Sequence, residues 1–223
     1  MTGQISTQPR GADLGRLVAI VPVRTLEGAK SRLGGSLDAE ERQDLVRMLL
    51  ERTIRAAQTV PEIESVVVIS PDPAILGLAA VDGATPLRQV GEGLNEGLGQ
   101  AVTWAIAQGA TAVLVLAGDL PSVSGESIGE IVATAAAAVS AARAIVVVVP
   151  DRHGRGTNAL LLSPPDAIGP AFGVNSRIAH EEAARAVDAL SLEVGGPLAL
   201  DLDLPEDLTL AEERGLLDPA HGG

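Results

Sequence analysis

The sequence predicts an α/β fold: a single domain with a mostly parallel sheet flanked by helices. Short β-branched runs alternate with longer stretches of helical spacing along the chain. Most of the β-branched runs are unbroken by polar residues, as strands buried on both faces require. The 223 residues are 46% hydrophobic, enough for one sizeable core.

Taken in order, strands read at 17–21 (LVAIV), 66–70 (VVVIS), 113–117 (VLVLA), 145–149 (IVVVV), 159–162 (ALLL) and 198–202 (LALDL). The first helix covers 38–59, with Asp38 as its N-cap and Leu45, Met48, Leu49 and Ile54 on its apolar face. Helices also read at 96–108, 125–141 and 177–190. A last one starts at Pro205, a residue suited to the first helical position. Residues 1–15 and 218–223 read as disordered tails around a domain at 16–217.

Composition excludes several functions. With 16 basic against 29 acidic residues, the net charge of −13 disfavours nucleic acid and membrane surfaces. One Trp, one Phe and no Tyr leave no stacking platform for single strands. The absence of cysteine removes thiol catalysis and zinc–thiolate sites. The polar start has no signal-peptide core, and no apolar run reaches the roughly 20 residues of a membrane span. The expected location is cytoplasmic.

The chemistry gathers where strands end, which in open α/β sheets is where ligands bind. After the first strand, Arg24, Lys30 and Arg32 share one loop, a set able to neutralise a polyphosphate or simply to solvate the surface. After the third, Gly118 permits close approach of a ligand and Asp119 can bind a metal or cap the turn. Segments GRGTN (Gly154–Asn158) and FGVNSR (Phe172–Arg177) pair glycines with hydroxyls near a helix start, suiting an anion or an ordinary cap. In ALDLDLPEDL, Asp201 and Asp203 fall two apart, about 7 Å along one strand face. Such a pair repels itself unless a cation lies between. His153, His180 and His221 are scattered, with His180 read as a helix-surface residue. No P-loop, GxSxG or dinucleotide fingerprint is present.

Together, VPVRTLEGAKSRL, LNEGLGQA, LAGDLP, GRGTNALLL, FGVNSRIAH and DLDLPEDL resemble the guanylyltransferase family of coenzyme F-420 biosynthesis across residues 17–215. Its members act on 2-phospho-L-lactate or phosphoenolpyruvate. The resemblance implies a nucleotide-diphospho-sugar-transferase-like fold, GTP as co-substrate, Mg²⁺ as cofactor and a homodimer. It places Asp119, Asp201 and Asp203 on the metal, and Thr157, Gly173 and Ser176 on the acceptor. Arg24, Lys30, Arg32, Gly118 and Asn95 fall on the nucleotide, with Lys30, Arg32 and Asp119 taking part in catalysis. Two positions depart from the family pattern. Arg24 replaces a common lysine, and Leu204 replaces a threonine that often caps the last helix. The competing expectations are another transferase of the same fold (3-phosphoglycerate acceptor, cytidylyl or molybdenum-cofactor guanylyl transfer) or a non-catalytic metal- or nucleotide-binding module.

Overall fold

The computed structural model describes residues 13–28 and 30–217. The expected tails at 1–12 and 218–223 lie outside these residues. Residues 13–15 are not tail-like: Leu14 is buried, and its carbonyl accepts from Thr111 Oγ1.

The elements in order are β1 (Leu17–Pro22), α1 (Ala39–Gln58), β2 (Ile63–Ser70), α2 (Pro73–Val81), β3 (Thr85–Arg88), α3 (Leu94–Ala107) and β4 (Ala112–Leu116). Then follow α4 (Gly125–Ala138), β5 (Ile145–Pro150), β6 (Thr157–Ser163), α5 (Ser176–Ala186), β7 (Leu190–Glu193) and α6 (Pro205–Glu213). The strands form one sheet in the order β3-β2-β1-β4-β6-β5-β7. All neighbours pair in parallel except β6, which runs against both β4 and β5.

Alternate side chains of each central strand feed two cores. Leu17, Ala19 and Val21 of β1 pack with Ile54 of α1 and Ile128 and Ile131 of α4. Val18 and Ile20 pack on the other face with Leu98 and Val102 of α3 and Ala184 of α5. Burial on both faces explains the unbroken apolar runs. Asp38 caps α1 through a reciprocal box: its Oδ1 accepts from the Glu40 and Glu41 amides, and Glu41 Oε2 accepts from the Asp38 amide.

Three elements escape the sequence reading. β3 and β7 are four-residue strands at the two sheet edges, too short to show a period; Pro86 is tolerated because β3 pairs only with β2. α2 is apolar throughout, so it shows no helical stripe, although Asp72 as N-cap and Pro73 at its first position mark its start.

One expected strand does not form. Residues 198–202 begin in a 3-10 turn (Pro197–Ala199) and then run extended without a ladder. The alternation is nevertheless real. Leu198, Leu200 and Leu202 are buried, and Asp201 and Asp203 are half-exposed between and after them. A third core binds this segment to the first loop: Leu33, Leu37, Leu45, Leu49, Leu200, Leu202 and Leu208 pack together.

Candidate active site

From β1 the chain goes outward to β2 and β3, and α3 then returns it to β4 on the other side of β1. Such a reversal opens a crevice at the carboxyl ends of the two strands. A cleft of about 1030 Å³ lies there, lined by Pro22, Arg24, Lys30, Arg32, Gly118, Asp119 and Asp203 among others. Gly118 packs tightly: a Cβ there would meet Val23 Cγ2 at 3.1 Å and the Pro22 carbonyl at 3.3 Å. What approaches this glycine closely is therefore the exit of β1 as well as the cleft.

The basic loop is pinned at its base. Ser70 Oγ donates to the Arg24 carbonyl at 2.7 Å, and the Leu26 amide donates to Asp72 Oδ2 at 3.0 Å. Arg24 is exposed on the cleft wall. Lys30 takes a left-handed backbone (φ 49°), uncommon outside glycine. Its Nζ lies 2.5 Å from Asp119 Oδ2 and 3.0 Å from Asp203 Oδ1. Burial by itself would lower the Lys30 pKa, but the charges and hydrogen bonds of Asp119 and Asp203 outweigh it and leave the pKa raised. Arg32 reaches Asp203 only at 3.8 Å and in solvent, a weak contact.

Asp201 sits in the field of the same carboxylates. Burial, then Asp119 and Asp203, push its pKa up to about 6. The segment carrying it is fastened from both sides. The Leu202 amide donates to the Asp119 carbonyl at 3.2 Å, and Asn158 Nδ2 donates to the carbonyls of Leu198 and Ala199. Asp207 Oδ2 accepts from the Asp203 and Leu204 amides, while its Oδ1 pairs with Arg152 at 2.6 Å. Asp207 therefore shapes the turn that presents Asp203. Leu204 gives α6 no side-chain cap.

These residues fit a divalent cation in part. Two carboxylate oxygens converge on one positive centre, which Lys30 supplies. Among the described residues, no three acidic or imidazole side chains gather as a ready metal cluster. Mg²⁺ normally needs only one or two carboxylates, the remainder coming from water and substrate phosphates.

The other expected residues build a second, neutral region. Because β6 is antiparallel, its first residue lies at the same sheet edge as the end of β4. Thr157 is buried there, with Oγ1 at 3.1 Å from Ser176 Oγ and 3.1 Å from His180 Nδ1. The Ala171 amide donates to His180 Nε2 at 3.1 Å, and the Phe172 ring packs edge-on at 5.0 Å. Asn95 does not line the cleft. Its amide closes both ways on the Phe172 backbone, accepting at 2.8 Å and donating at 2.9 Å, and so holds the 171–173 loop. Gly173 has φ 131° with open space around it, so its backbone is bare toward any ligand.

His180 is fully buried, which corrects its reading as a helix-surface residue; burial lowers its pKa to about 4. The missed signal is the spacing of Ser176, His180 and Ala184, one stripe of α5 turned to the core. Asn158 was missed because nothing local distinguishes it from a turn residue. Asp151 also proves structural, its Oδ1 accepting from the His153 and Arg155 amides.

Comparison with known proteins identifies the family and the fold. A family model described as "Guanylyl transferase CofC like" matches residues 17–212. A phosphoenolpyruvate guanylyltransferase of Sphaerobacter thermophilus is 41% identical over 193 residues, 86% of this chain and 90% of the relative. One from Rubrobacter xylanophilus is 41% identical over 199 residues, covering 88% and 94%. A solved structure described as a nucleotide-diphospho-sugar transferase from Desulfovibrio desulfuricans G20 shares the fold, with TM-score 0.70, 17% identity and coverage of 92% and 89%. With the family motifs in order along one sheet edge and the match spanning almost the whole folded chain, this protein belongs to the CofC-like guanylyl transferase family.

Proposed function

We propose that this chain transfers GMP from GTP to the phosphate of phosphoenolpyruvate, releasing pyrophosphate. The observation that carries the reading is the Lys30 ammonium clasped between Asp119 and Asp203 at the mouth of the β1–β4 crevice. A nucleotide phosphate and its counter-ion entering the crevice would meet a cation and two carboxylates there, which supports the reading. The names of the guanylyltransferase relatives support the choice of GTP and phosphoenolpyruvate.

In this reaction an acceptor phosphate oxygen bonds to the α-phosphorus of GTP, and the α–β bridging bond breaks. A phosphate monoester is largely dianionic at pH 7 and needs no general base. Catalysis then rests on positioning and charge neutralisation. Asp119, Asp203 and Asp201 would hold Mg²⁺, which when bound neutralises phosphate charge and orients the oxygens. Lys30, released from its carboxylates, and Arg32 and Arg24 on the same loop stabilise the departing pyrophosphate. Thr157, Ser176 and the exposed Gly173 backbone hold the acceptor. The reaction is assigned to the cytoplasm, with a homodimer as the working assembly.

The test incubates the purified chain with Mg²⁺, GTP or CTP, and phosphoenolpyruvate, 2-phospho-L-lactate or 3-phosphoglycerate. Pyrophosphate release and product mass are recorded. Fastest turnover is expected for GTP with phosphoenolpyruvate. Absence of GTP-dependent release with every acceptor, or preference for CTP, overturns the proposal.

A further inference from the structure

The hydrogen bonds around His180 have a direction. Ala171 offers a backbone N–H, which can only donate, so the Nε2 that receives it carries no proton. A neutral ring then bears its proton on Nδ1, and that proton faces Thr157 Oγ1. Thr157 must accept. The Thr157 and Ser176 hydroxyls own two protons between them, and their mutual contact uses one. The second finds no protein acceptor among the described residues.

One hydroxyl proton is therefore left over whichever hydroxyl donates to the other. If His180 carried its proton on Nε2, the Ala171 N–H would lose its acceptor. Nδ1 would then accept from Thr157, and the surplus proton would be consumed. The imidazole cannot turn easily, because the Phe172 ring packs against it and Asn95 clamps the Phe172 backbone.

We propose that His180 is a positioning residue, which fixes the Thr157–Ser176 hydroxyl pair as a net hydrogen-bond donor for an anionic oxygen of the acceptor. The inference rests on the acceptor site proposed above. A hydroxyl pair polarised in this way favours a phosphorylated carboxylic acid over a neutral analogue, although neither Thr157 nor Ser176 carries charge.

Two measurements test it. In the full chain labelled with ¹⁵N-histidine, the imidazole signal missing from His180→Asn should show Nδ1 protonated and Nε2 bare at neutral pH. A proton on Nε2 overturns the proposal without reference to any substrate. In kinetics, His180→Leu should raise the KM for phosphoenolpyruvate about tenfold, the order expected when a hydrogen bond to a charged group is lost. The KM for GTP should change less than twofold. His180→Asn, whose amide can still donate to Thr157, should recover part of the loss. Combining His180→Leu with Thr157→Val should be no worse than Thr157→Val alone, since the histidine acts through the threonine. If both KM values move together, or neither moves, the positioning role is refuted and the guanylyl transfer reading stands. If the unmodified chain transfers GMP to no acceptor, the underlying reading falls instead.

Discussion

The two halves of the site are built on opposite principles. Around Lys30, Asp119 and Asp203 the groups are charged and partly open to solvent, and they satisfy one another. Around Thr157, Ser176 and His180 they are neutral, buried and linked in one directed chain. If phosphates and a cation bind as proposed, the charged half must exchange these partners, because Lys30 already occupies both carboxylates. On the same proposal the neutral half would keep its contacts and give up only an unused proton position. Mobility of charge and rigidity of shape are thus assigned to different strands: β1 and β4 for the first, β6 for the second.

Asp119→Asn should break the charged half most severely. It removes a carboxylate from the cation position and leaves Lys30 underpaired, so turnover should fall at least a hundredfold, on the scale of losing a preorganised charged group. Unchanged circular dichroism would confirm that folding is intact, and near-normal turnover would sink the assignment. Lys30→Met sharpens the comparison, because two of its effects have opposite signs. Turnover should fall about tenfold or more. Binding of Mn²⁺ in the absence of GTP should tighten, because the resident ammonium no longer occupies the space between Asp119 and Asp203. Metal binding that is no tighter than in the unmodified chain would show that the lysine is not a stand-in cation.

The neutral half predicts a pH effect. His180 falls from 6.5 to about 4 through burial. Between those values the unfolded chain takes up a proton that the folded chain refuses. The stability this confers is complete above pH 6.5 and is lost as pH falls toward 4, amounting to about 3 kcal/mol. Urea midpoints of the unmodified chain and of His180→Asn should therefore converge between pH 7 and pH 4.5. A gap that stays constant would contradict the shifted pKa. The smallest expected effect lies just outside both halves. Leu204 stands at the N-cap of α6 with extended φ and ψ and no side-chain cap, so Leu204→Thr should add about 0.5–1 kcal/mol to stability. An unaltered denaturation midpoint would mean that the Asp207 carboxylate already satisfies that end.

The charged half was the more legible in sequence, and for a physical reason. Carboxylates and a lysine among aliphatic residues need an explanation wherever they fall, so Asp119, Asp201, Asp203 and Lys30 stood out before any geometry was known. The question raised by the Asp201–Asp203 spacing, what cation lies between such acids, has a partly different answer: Lys30 bridges Asp203 to Asp119 from β4. The misassigned strand at 198–202 came from reading leucine alternation as a ladder, when a third core produces the same pattern without one. The neutral half was hidden because its central residue is ordinary in context. His180 among Ala, Glu and Arg reads as surface until α5 is docked, and Asn95 reads as a ligand contact until Phe172 folds back against it. The central strands were legible because burial on both faces leaves unbroken runs. The edge strands were not, because four residues carry too little pattern.

The reversed direction of β6 has a consequence for how such enzymes can diverge. Strand β6 carries Thr157 and Asn158 at its start, and the chain returns to the same edge at Gly173 and Ser176 with His180 a turn beyond. Everything proposed to hold the acceptor thus lies within about one-eighth of the sequence, as a contiguous cassette, whereas the charged residues are drawn from the first loop, the end of β4 and the last loop. On the proposed assignment, a change of acceptor could be inherited largely as one segment, provided that Asn158, which fastens the Asp201 segment, and the Asn95–Phe172 clamp are kept. A change of nucleotide chemistry requires concerted substitutions at opposite ends of the chain.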